Sequence, residues 1–452
     1  MKVFDVLLAF VALSALLLVA TALRARLGWL QRLGLPEALI AGLLGLLVGP
    51  FSPWPLFPQQ VYAVWSQTPG VLISLVFASL FLGQRLPSAR VLWQRAASQT
   101  CFGMVLGFGQ YLVGGLLVLL VLQPLLGVNP LMACLIEVGF EGGHGTAAGM
   151  GPTFSDLGLA SGEALGLAMA TVGVLAAVLL GSALVVIGRS RAWLQQGKHR
   201  APEPAAVPPP RSPQPAQEAA TIDALTVNLA LTGAAVGLGV LLRELLIATG
   251  GLGGANASKL LTAVPLFPLA MLGGLLLQGL LQRLDAGAMA SAALQGSIGS
   301  LAMDLLITAA MASLNLPLLE ENWLAFVLLA VGGLVWNLAA VLLLAPRLFG
   351  DHWFERAIAD FGQGTGVTAT GLLLLRMADP RGSSRVLEAF SFKQLLFEPF
   401  LGGGLVTALA PIALAAWGLQ RWTAVALALT LMAALLGLGL TRRAGRGAHM
   451  AP

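Results

Sequence analysis

The sequence predicts an all-helical protein that crosses a membrane many times. Of its 452 residues, 57% are hydrophobic and only 10% are charged, and the mean hydropathy is +0.86. A soluble globular protein carries about 25% charged residues. Apolar runs of membrane-spanning length recur along the whole chain, and a helix satisfies all of its own backbone hydrogen bonds in lipid.

The apolar runs form two halves with the same order of elements. In the first half, spans are predicted at 3–24, 35–50, 69–86, 101–125 and 160–188, with a glycine-broken segment at 131–150. In the second half, they are predicted at 225–248, 259–282, 292–314, 322–346 and 386–418, with a glycine-broken segment at 353–376. A last run, 422–441, has no counterpart. We therefore divide the chain into a first repeat at 1–197, a linker at 198–221, a second repeat at 222–418, and an extra helix with a basic tail at 419–452.

The linker and the basic residues predict an orientation. Prolines crowd residues 198–221, where they favour extended conformations and forbid a helix, so this segment is predicted to be solvated. Most of the 25 Lys and Arg residues fall on one side if the N-terminus is outside and the glycine-broken segments are re-entrant hairpins. Each repeat then has an odd number of spans, so the second repeat is inverted. The linker and the C-terminus are predicted to be cytoplasmic.

Two short stretches repeat one pattern of acid, glycine and threonine. The first motif, Glu141 to Thr146, reads Glu-Gly-Gly-His-Gly-Thr, and the second motif, Asp360 to Thr365, reads Asp-Phe-Gly-Gln-Gly-Thr. Broken backbone at membrane depth is tolerated only where it is buried in protein or lines a polar cavity. Its presence in corresponding halves predicts a secondary transporter whose binding site lies between inverted repeats.

The residue types in the motifs suit a small ligand and a cation. Glycine lets the main chain approach a ligand, helix N-termini favour an anionic group, and carbonyls and hydroxyls suit sodium. The predicted substrate- and ion-binding residues are Glu141, Gly142, Gly143, His144, Gly145, Thr146, Asp304, Arg356, Asp360, Gly362, Gln363, Gly364, Thr365 and Thr368. Four of them are candidate sodium ligands: Thr146, Asp304, Asp360 and Thr365. The alternative is that the glycines only allow helices to pack closely.

Three of the predicted site residues are acids at membrane depth, where charged groups usually mark an ion or proton path. Asp304 lies on one polar stripe of its helix with Ser297, Ser300 and Thr308. Glu141 and Asp360, if close together, would hold a proton near neutral pH, so we expect uptake to depend on pH as well as sodium. Structural pairing with a nearby Arg or hydroxyl is the alternative role for each acid.

Several other features narrow the function. The sequence has no HExxH, GxSxG or Walker A pattern, which argues against an enzyme and against ATP-driven transport, and no cofactor besides a coupling sodium ion is predicted. Cys101 and Cys134 lie in apolar runs, where packing is their expected role. The basic residues lie in loops and predict no nucleic-acid partner. Lys393 and Glu398 either form an internal ion pair or lie near the membrane interface, and Glu137 is a weaker site candidate.

The run Glu137 to Ala148 resembles the first hairpin of the bacterial glutamate:sodium symporter family, which carries Ser-Gly-Gly-His-Gly-Thr-Gly. Gly362 to Thr370 stands where that family has Gly-Phe-Gly-Leu-Gly-Ala-Thr-Pro-Thr. The resemblance implies a sodium-coupled carrier of acidic amino acids in the bacterial plasma (inner) membrane, with inverted repeats and often a homodimer. Glu141 replaces a small hydroxyl residue, and Asp360 replaces a usual His. These added carboxylates oppose a dianionic substrate unless sodium, protons or Arg356 neutralise them.

Three functions follow as hypotheses. The first is sodium-coupled symport of glutamate or a related carboxylate by alternating access at the two hairpin tips. The second is a cation/proton exchanger that uses Asp304 and Asp360. The third is a membrane scaffold or channel without coupled transport.

Overall fold

The computed structural model describes residues 3–28, 30, 36–84, 87–194, 222–250, 261–315, 317, 320–380, 382, 384 and 386–448. Within these residues the regular structure is entirely helical, and nine helices are long and apolar enough to cross a membrane. The predicted class, a polytopic helical membrane protein, is confirmed. The predicted linker at 198–221 lies outside the described residues.

The helices of the first half match most of the predicted spans. They are α1 Val3–Arg26, α2 Glu37–Leu47, α3 Gln59–Ser79, α4 Ala89–Leu117, α5 Leu135–Phe140, α6 Gly143–Gly149, α7 Gly151–Asp156 and α8 Gly162–Ser190. Helix α3 begins before the predicted span 69–86. The apolar pattern does not indicate this earlier start, because polar residues such as Gln59 and Gln67 interrupt it in the first turns of the helix. The glycine-broken segment 131–150 becomes the short helices α5 and α6.

The second half contains one break that the apolar pattern did not predict. Its helices are α9 Ile222–Gly250, α10 Leu266–Arg283, α11 Ala292–Ala312, α12 Trp323–Ala339, α13 Trp353–Thr365, α14 Thr368–Ala378, α15 Val386–Phe397, α16 Leu405–Trp417 and α17 Leu419–Ala448. The prediction of a single span at 386–418 is wrong. Gly402 and Gly403 have φ values of +70° and +104°, which end a helix and favour glycine. Hydropathy does not detect such a break, because glycine interrupts the helix without adding charge.

An irregularity recurs at corresponding places in the two halves. Helix α4 continues into a π-helical turn at Val118–Leu122, and α12 continues into one at Ala340–Leu344. A short helical turn with proline near its start follows each, at Pro124 and Pro346. Proline lacks a backbone N–H, so the hydrogen-bond ladder is locally rearranged. Each irregularity comes directly before a glycine-broken segment, which supports an internal repeat. The inverted orientation of the repeats and the re-entrant depth of these segments stay predictions.

The helices pack into two spatial groups, each with members from both halves. The first group joins α1, α2 and α3 to α9, α10 and α11, and the second joins α4 to α8 with α12 to α17. Small residues allow the close approaches: a Cβ on Gly274 of α10 would lie 2.4 Å from the Ala78 carbonyl oxygen of α3. The extra terminal helix α17 packs along α4, where Gly115 faces Thr423.

The first glycine motif lies where the two groups meet. Helix α6, which carries this motif, contacts α3 and α11 of the first group. A Cβ on Gly145 would lie 3.1 Å from both Ile73 Cδ1 and Met303 Sδ. A cavity of about 460 Å³ also lies between the groups, lined by residues that include Ser66, Gly70, Ala148 and Glu163. Movement of one group against the other would therefore change the surroundings of the motif.

Candidate functional site

The two glycine motifs contact each other inside the second helix group. Gly143, the first residue of α6, has φ +70°, and a Cβ there would lie 2.7 Å from Val367 Cγ1, just after the second motif. A Cβ on Gly364 would lie 3.0 Å from Glu141 Oε2. Only glycine at these positions lets the backbone of one motif approach the other so closely. The structure thus brings together two segments that are more than 200 residues apart.

The unpredicted Gly402–Gly404 break joins this junction as a third glycine segment. A Cβ on Gly403 would lie 2.5 Å from Thr146 Oγ1, the hydroxyl of the first motif. The backbone N–H of Gly402 donates to Glu137 Oε1 over 3.1 Å, and the Thr407 hydroxyl donates to the same oxygen over 2.7 Å. The Tyr111 hydroxyl donates to the other carboxylate oxygen. Glu137, a weak candidate from sequence, is therefore a fully hydrogen-bonded anchor for the third segment.

Asp360 of the second motif is a buried acid with a complete set of partners. Its Oδ1 lies 3.1 Å from the ammonium of Lys393 on α15, and both side chains are at most 1% exposed. Its Oδ2 accepts a hydrogen bond of 2.8 Å from Gln99 Nε2 on α4. A buried carboxylate in a membrane protein needs such compensation, because its desolvation is costly. Lys393 does form an internal ion pair, but its partner is Asp360 and not Glu398, the acid that the sequence suggested.

Glu141 of the first motif is buried without such partners. Its side chain is 5% exposed, yet neither carboxylate oxygen has a hydrogen-bond partner among the described residues. The Thr146 hydroxyl, 1% exposed, likewise has none within the described parts of the chain. Unpaired buried acceptors are costly unless a ligand, ion or proton satisfies them. Glu141 and Thr146 therefore offer free oxygen atoms at the junction of the three glycine segments.

The backbone of the second motif is held by buried amides. Asn337 Nδ2 on α12 donates to the Gly364 carbonyl oxygen over 2.9 Å and to Thr365 Oγ1 over 3.0 Å. Gln110 Nε2 on α4 donates to the same Gly364 oxygen. The Thr368 hydroxyl donates to Glu398 over 3.3 Å. The Gly364 carbonyl and the Thr365 hydroxyl therefore already have hydrogen-bond partners. Of the two threonines predicted as sodium ligands, Thr146 and Thr365, Thr146 is the one without a partner within the described residues.

The imidazole of His144 in the first motif and the amide of Gln363 in the second are both hydrogen-bonded to side chains of neighbouring helices. His144 Nε2 lies 3.0 Å from the hydroxyl of Thr171 on α8. At the equivalent position of the second motif, Gln363 Oε1 accepts hydrogen bonds of 2.9 Å from both Lys393 and Gln394. Each side chain fixes its motif to a neighbouring helix. Gly142, Gly145 and Gly362 are also closely packed, against Val138 and Thr146, against the side chains of Ile73 and Met303, and against the backbone of Gly371, respectively.

One protein-family model matches most of the chain. Residues 2–377 match the family model described as sodium/glutamate symporter, which covers both glycine motifs. The chain belongs to the sodium/glutamate symporter family. The resemblance recognised from sequence is thereby confirmed. No curated protein sequence matches the chain.

Part of the junction lies outside the region that the symporter-family model matches. Lys393 and the Gly402–Gly404 segment lie after residue 377, where the family match ends. The Lys393 side chain nevertheless compensates Asp360 inside the matched region, and Gly403 faces Thr146 there. The junction therefore combines family residues with a segment that the match does not cover.

Asp304 lies on α11, the helix whose Met303 packs against Gly145 of the first motif. It is exposed on α11, in the first helix group, and lines a cavity of about 380 Å³ together with Ser79, Gln84 and Ser300. Of the predicted polar stripe, Thr308 is buried and its hydroxyl donates to the Asp304 carbonyl oxygen over 2.8 Å. No hydrogen bond or ion pair within the described residues joins Asp304 to Asp360. The grouping of these two acids in one site stays a prediction.

Arg356, which the sequence analysis named together with sodium and protons as able to neutralise the added carboxylates, forms no ion pair with Glu141 or Asp360 among the described residues. It lies one turn before Asp360, and its guanidinium is 3.5 Å from Asp351 and 3.4 Å from Gln99 Oε1. Lys393 takes the position beside Asp360 instead. Since α15 follows the motif by about thirty residues, only the tertiary fold makes this pairing apparent.

The amides that hold the motifs were not predicted from the sequence. Gln99 and Gln110 lie on α4, and Asn337 lies in the apolar helix α12. A detectable signal was present, because strongly polar amides in membrane-spanning runs usually face the bundle interior and bond to a partner. The positions of acids and glycines alone do not reveal them.

Proposed function

We propose that this protein is a sodium-coupled symporter that carries glutamate or a related carboxylate by alternating access at the glycine junction. Membership in the sodium/glutamate symporter family supports the transport class. The single observation that carries the site assignment is the pair of buried, unpartnered groups at the junction, the Glu141 carboxylate and the Thr146 hydroxyl, within the described residues. Oxygen atoms of this kind are the ligands that sodium and other hard cations take.

In this proposal the coupling cation binds first and prepares the site for an anion. A bare Glu141 carboxylate would repel a carboxylate substrate, and a bound cation removes that repulsion. The substrate would then lie against the glycine backbone of the junction. Binding across the boundary between the two helix groups would favour closure, and movement of the second group against the first would expose the site on the other side.

The exchanger hypothesis receives less support from the structure. It needs Asp304 and Asp360 in one ion path, but the two acids lie in different helix groups, and Asp360 already pairs with Lys393. Counterflow of labelled glutamate separates the hypotheses, since a symporter exchanges labelled for unlabelled substrate and a cation/proton exchanger does not.

The test is uptake into proteoliposomes that contain the full-length protein. A panel of labelled carboxylates is offered with an inward sodium gradient, a potassium gradient of equal size, or no gradient, at several pH values. We expect saturable, sodium-driven uptake of at least one carboxylate, and loss of sodium dependence in Glu141→Gln. Glu321→Gln, at an exposed position, is the matched control. Uptake that ignores the sodium gradient in the wild type would contradict the proposal, and absence of saturable uptake would favour a scaffold or channel.

A further inference from the structure

The two acids of the repeated motifs are equivalent in sequence but have different surroundings. Glu141 precedes Gly-His-Gly-Thr and Asp360 precedes Gly-Gln-Gly-Thr at the same spacing. Asp360 has an ammonium partner at 3.1 Å and an amide partner at 2.8 Å. Glu141 has no hydrogen-bond partner within the described residues. The charge of Asp360 is therefore neutralised by a side chain of the protein, whereas the carboxylate of Glu141 has no hydrogen-bond partner among the described residues.

The ammonium of Lys393 is held as a bound cation would be. It donates to Asp360 Oδ1 over 3.1 Å and to Gln363 Oε1 over 2.9 Å, and both acceptors belong to the second motif. It also lies 4.0 Å from the ring centroid of Phe397, within the range of a cation–π contact. Gly103 leaves space for the side chain, since a Cβ there would lie 2.6 Å from Lys393 Cε. Carboxylate, amide oxygen and aromatic face together form a cation site.

We propose that Lys393 is a tethered cation that permanently fills the cation position of the second motif, so that the exchangeable coupling ion binds only at the first motif, through Glu141 and Thr146. The inference rests on the proposed function and deepens it, because it specifies which acid the coupling ion uses. A second mobile cation at Asp360 is unnecessary, since the buried carboxylate is already paired.

The position of the Lys393 ammonium affects cation binding at both motifs, because other charged groups surround Glu141. A Cβ on Gly364 would lie 3.0 Å from Glu141 Oε2, and the preceding residue, Gln363, binds the Lys393 ammonium. Lys393 is therefore a cation close enough to attract Glu141, and the nearby acids Glu137, Asp360 and Glu398 repel it. As long as Asp360 holds the ammonium, Glu141 depends on an external cation. Without the Asp360 charge, the ammonium loses its strongest partner and is drawn to Glu141, where it competes with that external cation.

The first measurement is the number of sodium ions bound per chain, by equilibrium dialysis of the purified full-length protein against radioactive sodium. Lys393→Gln leaves Asp360 without its counter-charge, so we expect one more sodium ion per chain than in the wild type. The double variant Lys393→Gln with Asp360→Asn removes both charges and should return to the wild-type number. Glu141→Gln should bind one ion fewer. A purely structural role of Lys393 would change stability but not this number.

The second measurement is the dissociation constant for sodium in Asp360→Asn. We expect it to rise at least about tenfold, because the released ammonium competes at Glu141. Adding Lys393→Gln should reverse the rise. If Lys393→Gln alone does not fold, Asp360→Asn and the double variant carry the test, since both leave no buried carboxylate unpaired at the second motif.

The outcomes separate this proposal from the proposed function. A wild-type chain that binds no sodium overturns both. A wild-type chain that binds sodium and takes up a carboxylate, but whose sodium count is unchanged in Lys393→Gln or whose sodium affinity is unchanged in Asp360→Asn, overturns only the tethered-cation proposal.

Discussion

Alanine at Gly143 tests whether the contact between the two glycine motifs is needed for transport. Gly143 has φ +70°, where an L-residue is strained, and a Cβ there would lie 2.7 Å from Val367 Cγ1. Gly143→Ala therefore meets two separate obstacles, one in its own backbone and one in the neighbouring motif. The chain offers a matched control: Gly127 has φ +65°, and nothing lies within 4 Å of the Cβ that alanine would add there.

The size of the effect follows from these two obstacles. A left-handed conformation costs a non-glycine residue about 1–2 kcal/mol. Overpacking of a well-packed interior costs about 1–3 kcal/mol. Gly143→Ala should therefore destabilise the contact between the two motifs by roughly 2–5 kcal/mol. Gly127→Ala carries only the backbone cost of about 1–2 kcal/mol, and it carries that cost outside the junction, so the contact between the motifs is unaffected. Since about 1.4 kcal/mol corresponds to a factor of ten, the closed junction should become at least about tenfold less populated in Gly143→Ala.

The assay compares initial uptake rates in proteoliposomes with thermal unfolding midpoints of the purified proteins. We expect Gly143→Ala to lose at least about tenfold in uptake, while Gly127→Ala stays near the wild-type rate. Val367→Ala, added to Gly143→Ala, should recover part of the loss, because it removes the steric obstacle and leaves the backbone strain. Wild-type uptake in Gly143→Ala, or no recovery with Val367→Ala, would refute the reasoning.

Three further predictions address the other parts of the molecule. Gly364→Leu should abolish uptake while much of the protein is still inserted in the membrane, because the leucine side chain would enter the space beside Glu141. Gly279→Leu is the control and should keep its uptake, because a side chain there meets open space. Equal uptake by the two variants in membranes of equal protein content would contradict a role of Gly364 in transport. Glu137→Gln should lower the unfolding midpoint by an amount equivalent to about 1–3 kcal/mol, because the amide cannot accept from Gly402, Thr407 and Tyr111 together; an unchanged midpoint relative to Glu321→Gln would exclude the anchoring role. A cysteine at Ser212 in the predicted linker should resist an impermeant thiol reagent in intact cells, with little background from the buried Cys101 and Cys134; rapid labelling from outside would overturn the predicted orientation.

The membrane class, the family and the two motifs can be read from the amino-acid sequence alone. Composition and apolar runs decide that the chain spans a membrane, because lipid admits only long apolar helices with satisfied backbones. The Gly-Gly-His-Gly-Thr run is local, so its resemblance to the symporter family could be read without any tertiary information. The duplicated acid and glycine pattern also pointed to the segments that contact each other in the structure.

The pairing of the acids, the oxygen atoms left without a partner within the described residues, and the segments that complete the junction depend on the tertiary fold. Lys393 pairs with Asp360, Asn337 occupies the oxygens of Gly364 and Thr365, and Gly403 approaches Thr146. These contacts join residues from different helices, and hydropathy or spacing along one helix carries no information about them. The break at Gly402 could not be read from the sequence for a related reason. Glycine keeps a run apolar and can adopt either helical or left-handed backbone, and the contacts with Glu137 and Thr146 that accompany the left-handed conformation are tertiary.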